Sequence, residues 1–111
     1  MQYALLIYLK PGYLEELGEE ERQAVSDDYW ALRSNPHVVG GAGLQPVETA
    51  TTVRMEHGET AVTDGPFAET KEVFGGYYLV AADDLDTAIE IAERIPAVRL
   101  GGAVEIRPVM V

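Results

Sequence analysis

Asp64, Glu69, Lys71 and Glu72 crowd together in the stretch Thr63-Asp64-Gly65-Pro66-Phe67-Ala68-Glu69-Thr70-Lys71-Glu72. Three carboxylates and an ammonium beside one large apolar ring can move protons or hold an anion if the chain folds them over a cleft that strips away water. Asp64 is the first choice, as a base or a ligand acceptor at the cleft mouth. In the same reading Glu69 titrates upward through desolvation, Lys71 meets an anionic group, and Phe67 and Glu72 contact the ligand. The bland counterparts are equally concrete. An Asp in Asp-Gly-Pro closes an Asx-turn through its own backbone, and an exposed cluster of ions contributes only about 0–1 kcal/mol per pair. Arg54 and Arg107, each in a strand, can pair with these acids or with a substrate carboxylate, structural pairing being the simpler role. Tyr77 and Tyr78 follow Gly75-Gly76 and alternate across a sheet, so one faces the helices and the other a cleft or partner; Tyr78 is taken as the ligand contact.

Other chemistry is excluded or weak. The chain has no cysteine, which removes disulfides, thiolate metal sites and cysteine nucleophiles. His37 and His57 lack the spacing of a metal pair, so no metal is expected. Gly40-Gly41-Ala42-Gly43 lacks the Lys-Ser/Thr and the following helix of a phosphate loop, so close backbone packing or a bulge explains it better and no cofactor is expected. Nineteen acidic against eight basic side chains give a net charge of −11. That field repels nucleic acids and anionic membranes, so neither is an expected partner.

The elements that must position these residues follow from pattern. At 111 residues one domain is expected. Tyr3, Leu5, Ile7 and Leu9 alternate with Ala4, Leu6 and Tyr8, apolar on both faces, as in a central strand. This start has no basic leader and is too short to span a bilayer, so a cytoplasmic protein is expected. Pro11-Gly12 opens a loop whose Tyr13, Leu14 and Leu17 pack locally or cover something apolar. Glu19-Glu20-Glu21 suits a helix N-terminus, and Val25, Tyr29 and Leu32 continue a stripe that stops near Ser34-Asn35 before Pro36. Asp27 and Asp28 read as a solvated edge, Asp28 being a weak site candidate beside that stripe.

His37 to Leu44 predicts a glycine-thinned strand, and Thr51 to Met55 and Thr60 to Thr63 predict a hairpin with His57 at its tip. Tyr77 to Ala82 predicts another strand. Asp83-Asp84 caps a helix with Leu85, Ala88, Ile89, Ala92 and Ile95 on one stripe, stopped by Pro96. Ala103 to Met110 closes as an edge strand. The order is that of a ferredoxin-like βαββαβ α+β sandwich with a hairpin and loop inserted between its middle strands. Two helices cover one sheet face, so a homodimer packed sheet against sheet is expected.

The Thr63 to Glu72 stretch with Gly75-Gly76-Tyr77-Tyr78-Leu79 resembles the signature of the DGPF-domain branch of the YCII-related family. The likeness extends through Tyr3 to Tyr8, Gly43 to Pro46, Ala50 to Arg54, Ala92 to Pro96, and Val104 to Pro108. The resemblance implies a dimeric ferredoxin-like fold with a cleft against the sheet. It also implies genomic association with extracytoplasmic-function sigma factors and, in the broader family, a suggested His/Asp pair. The helix position of that His corresponds to Tyr29, and neither His37 nor His57 matches it, which departs from such a mechanism. Two functions follow: a small-molecule enzyme or ligand-binding protein whose cleft is formed by the Asp64–Glu72 loop and the sheet, or a non-catalytic dimeric regulatory or protein-interaction module linked to extracytoplasmic-function sigma factor signalling.

Overall fold

The structure is a computed structural model that describes residues 1–67 and 70–110. Four strands form an antiparallel sheet: β1 (Gln2–Leu9), β2 (Val38–Gly43), β5 (Val73–Ala81) and β6 (Ala103–Pro108), in the spatial order β2-β5-β1-β6. Helix α1 (Glu19–Arg33) connects β1 to β2, and α2 (Leu85–Ala92) with the short α3 (Pro96–Arg99) connects β5 to β6. Between the middle strands a hairpin, β3 (Thr51–Glu56) with β4 (Glu59–Asp64), forms a separate two-stranded sheet. This is an α+β fold with the strand order and connectivity of a ferredoxin-like sandwich. The expected order of elements holds throughout.

Strand β1 is central because both of its faces are apolar and both of its edges are paired. Tyr3, Leu5 and Ile7 point to the helices and are buried with Val80, Leu32, Ala88, Ile91 and Ile95. Leu5, fully buried, is worth roughly 1.5–3 kcal/mol relative to exposure. On the opposite face Leu6 lies across from Tyr77, and Tyr8 from Phe74, with the two rings of the latter pair 5.6 Å apart. Among the described residues no helix covers that side.

The helix ends follow local chemistry. Glu19, Glu20 and Glu21 occupy the first turn of α1 and Arg33 the last, matching the helix dipole at both ends. Asp84 caps α2, its Oδ1 accepting from the Thr87 N–H at 2.8 Å and from the Thr87 hydroxyl at 2.7 Å.

Two boundaries differ from the sequence reading. Pro96 does not merely stop a helix; it opens α3 at a position where its missing N–H costs nothing. Strand β5 begins at Val73 rather than Tyr77, because Gly75-Gly76 belongs to the sheet, Gly76 lying across from both Ile7 and Gly43. The hairpin turn is His57-Gly58 with φ of 51° and 81°, the left-handed pair that matches strand twist. The radius of gyration is 15.8 Å, against about 13 Å for a compact chain of this length. The projecting β3–β4 arm accounts for the excess.

Candidate functional site

A cleft of about 820 Å³ opens on the helix side of the sheet, along β2 and the start of β5. Its floor exists because side chains are missing. Gly41 lies opposite Tyr78, and Gly43 opposite Gly76, all in the register that faces the helices. A Cβ on Gly41 would stand 2.5 Å from the Tyr77 carbonyl, and one on Gly76 2.7 Å from the Ala42 carbonyl, so neither position admits a larger residue without moving backbone. Gly43 differs, since nothing lies within 4 Å of where its Cβ would be.

The walls come from three elements. Tyr29 and Arg33 project from successive turns of α1, Tyr13 and Leu14 from the loop after β1, and Tyr78 from β5. The lip after β2 supplies Leu44, Pro46 and Val47. The sequence thus yields a hollow by placing glycines beneath aromatics.

Burial dominates the electrostatics of the tyrosines. It pushes the Tyr29 hydroxyl far above the ordinary phenol range, with Tyr13 and Tyr78 adding to the rise and Arg99 opposing it. Burial also raises Tyr13, and it raises Tyr78 against the pull of the Arg33 charge. All three are therefore neutral near pH 7 and able to donate hydrogen bonds. None of their hydroxyls bonds to another described residue. Arg33 lies over the ring of Trp30 at 5.0 Å from its centroid.

The residues singled out from sequence fall largely elsewhere. Tyr78 lines this cleft from the helix-facing register, not from the face away from the helices where the ligand contact was expected, and Tyr77 takes the opposite register. Asp64 ends β4, paired with Thr51 and exposed. The turn after it is pinned by the Gly65 N–H donating to the Ala50 carbonyl at 2.7 Å and by the Thr52 hydroxyl donating to the Gly65 carbonyl at 2.7 Å. Arg54 and Phe67 do come together: the guanidinium donates to the Phe67 carbonyl at 3.0 Å and lies 5.8 Å from its ring centroid. Lys71 and Glu72 are exposed in the loop before β5. Arg107 stands on β6 opposite Ala4, on the sheet face away from the helices. Glu69 lies outside the described residues.

The expected cleft between the Asp64–Glu72 loop and the sheet is thus corrected. Within one chain the described part of that loop does not line the hollow: it leaves the root of the β3–β4 arm, where Asp64 pairs with Thr51. Asp28 is ion-paired with Arg99 at 2.7 Å, about half exposed on each side, a structural tie between α1 and α3 of small energetic value. Tyr13 and Arg33 were missed as site residues, and Tyr29 was marked only as the helix position of the family's histidine. Tyr29 and Arg33 sit four apart on one helix, a spacing that places them on the same face.

An antiparallel α+β sandwich with an aromatic-walled cleft over a glycine floor defines the class of small domains to which comparison points. The YCII-related domain family matches residues 1–111, and the chain belongs to that family. It is 36% identical to an uncharacterised protein of Rhizobium meliloti (strain 1021), over 97% of this chain and 91% of that protein. Among solved structures it is similar in fold to the 5-chloro-2-hydroxyhydroquinone dehydrochlorinase of Burkholderia phenoliruptrix AC1100, in complex with 2,5-dihydroxybenzoquinone. The TM-score is 0.54 at 15% identity, covering 99% of this chain and 94% of that one. Among the described residues no helix is long and apolar enough to cross a membrane.

Proposed function

We propose that this chain is a small-molecule-binding protein of enzymatic type whose ligand occupies the cleft between α1 and the glycine floor. The observation that carries the reading is the floor itself. Gly41 and Gly76 tolerate no Cβ, while three neutral phenols and a guanidinium stand above them. Such a hollow, apolar with a few converging polar groups, is the usual form of a ligand site. Within it Tyr13, Tyr29 and Tyr78 act as hydrogen-bond donors to a ligand oxygen. A phenol held neutral can protonate a strongly basic oxygen but is a poor base at neutral pH, so proton donation rather than abstraction is the chemistry offered. The dehydrochlorinase that shares the fold holds a small ring compound, which supports the ligand size. Nothing in the family match or the relatives supports the regulatory alternative.

The finer assignments belong to the same proposal. The Thr63 to Glu72 stretch supports the DGPF branch. A homodimer is supported by two apolar surfaces that one chain leaves uncovered: the sheet face of Leu6, Tyr8, Phe74, Tyr77 and Leu79, and the arm face of Val53, Met55 and Val62, which are 65, 69 and 64% exposed. A second copy covers both. Asp64, Lys71 and Glu72 then lie between an arm root near the cleft lip and the partner, where they can meet the protruding end of a ligand.

Amide NMR titration with 2,5-dihydroxybenzoquinone tests the reading. Saturable shifts confined to Gly41, Gly43, Gly76 and their neighbours are expected. Shifts scattered over the surface, or centred on the arm alone, would refute it.

A further inference from the structure

The cleft is electrically unlike the rest of the molecule. Its charged lining residues are Lys10, Glu15, Arg33 and Glu48, two of each sign, so the whole excess of eleven negative charges lies elsewhere. Among the described residues Arg99 is the one cation paired with a carboxylate, Asp28; Arg33, like the other cations, has no such partner there, and what sets it apart is that it lines the cleft while resting on Trp30. A guanidinium held over an aromatic ring uses none of its N–H donors in a carboxylate pair, which leaves them available to bond. Arg33 also lies close enough to Tyr78 for its charge to favour the ionised phenol.

We propose that the cleft selects a planar organic monoanion, with its charged oxygen at the Arg33–Tyr78 end and its flat body against Gly41, Gly43 and Gly76. This rests on the reading of the cleft as a ligand site and names the ligand class. A fixed cation beside neutral phenol donors complements a carboxylate or enolate oxygen, since charge-assisted bonds are the strong ones. The side-chain-free floor admits a ring lying flat against the backbone. A polyanion is disfavoured by the negative field of the remaining surface, which reaches about 8–10 Å in ordinary salt.

Trp30 is the single tryptophan, so its emission reports directly on Arg33. The experiment titrates benzoate and benzamide, equal in shape and different in charge, into the native protein, Arg33→Gln, Arg33→Lys and Gly43→Phe, each checked for an unchanged melting temperature without probe. Benzoate is expected to bind the native protein at least about tenfold more tightly than benzamide, the factor that one charge-assisted bond supplies. Arg33→Gln should remove the preference, Arg33→Lys should keep part of it, and Gly43→Phe should abolish the binding of both probes. Equal binding of the two probes, lost in Gly43→Phe, would overturn the anion selection while leaving the ligand site intact. Binding unaffected by Gly43→Phe, or no binding of either probe to the native protein at millimolar concentration, would overturn the site itself for this class of molecule.

Discussion

Gly43 and Gly76 face each other across the β2–β5 pair, yet a methyl group would meet open space at the first and the Ala42 carbonyl at 2.7 Å at the second. Two glycines in one floor therefore have opposite tolerances. Gly76→Ala, at a φ of +155°, should lose about 1–3 kcal/mol by overpacking against backbone, whereas Gly43→Ala should change stability by less than about 0.5 kcal/mol. Urea unfolding of the two variants checks this. Equal losses would mean that the floor is not built as described.

The phenol cluster has a pH signature. Burial raises Tyr13, Tyr29 and Tyr78 above their ordinary value of 10.0. The folded state then holds these protons more tightly than the unfolded state does, so their contribution is fully present below pH 10 and is lost as pH rises through the higher folded values. Phenolate absorbance should show a late-titrating group of tyrosines, and the melting temperature should fall more steeply above pH 10 in the native protein than in Tyr29→Phe. A single titration centred on 10 would contradict the burial of the cluster.

At the acid end Asp84 is the informative group. Its hydrogen bonds to the Thr87 N–H and hydroxyl hold its carboxyl below the ordinary 3.8, so its stabilising effect exists above that value and disappears as pH falls through the depressed one. Asp84→Ala should melt below the native protein at pH 7, with the gap closing below pH 3.8. A gap independent of pH would assign the loss to something other than the cap.

The arm tests the dimer. Val53 and Val62 lie directly opposite each other and are exposed in the single chain, so Val53→Glu with Val62→Glu should leave the fold intact and weaken association. Light scattering should give twice the chain mass for the native protein at micromolar concentration and the single mass for the double variant. A native monomer would remove the dimer from the account.

Most of the fold was legible because its signals are local. Alternation in Tyr3 to Leu9, the acidic first turn of α1 and the Asp84 cap each follow from a few neighbouring residues, and so do the element order and most boundaries. The site was less legible for a physical reason. Asp64, Lys71 and Glu72 attract notice as a dense charged motif, but whether a motif faces a cleft depends on where the chain carries it, and this one lies at the root of the arm outside the lining of the hollow. The hollow itself arises from glycines in β2 and β5 that meet only through sheet pairing, below residues from α1 and the loop before it. Tyr29 and Arg33 could have been found as a pair four apart; their meeting with Tyr78 could not, since it depends on how α1 lies across the sheet.

The most direct test of the central claim is thermal melting of the native protein and Gly43→Phe against a panel of small aromatic acids, phenols and quinones. At a hundred times its dissociation constant a ligand of the cleft should stabilise the native protein by about 2.7 kcal/mol, a rise of roughly 10 °C for a chain of this size, and should leave Gly43→Phe unshifted. An equal shift in both proteins, or none in the native protein with any compound, would contradict the assignment of this cleft as the functional site.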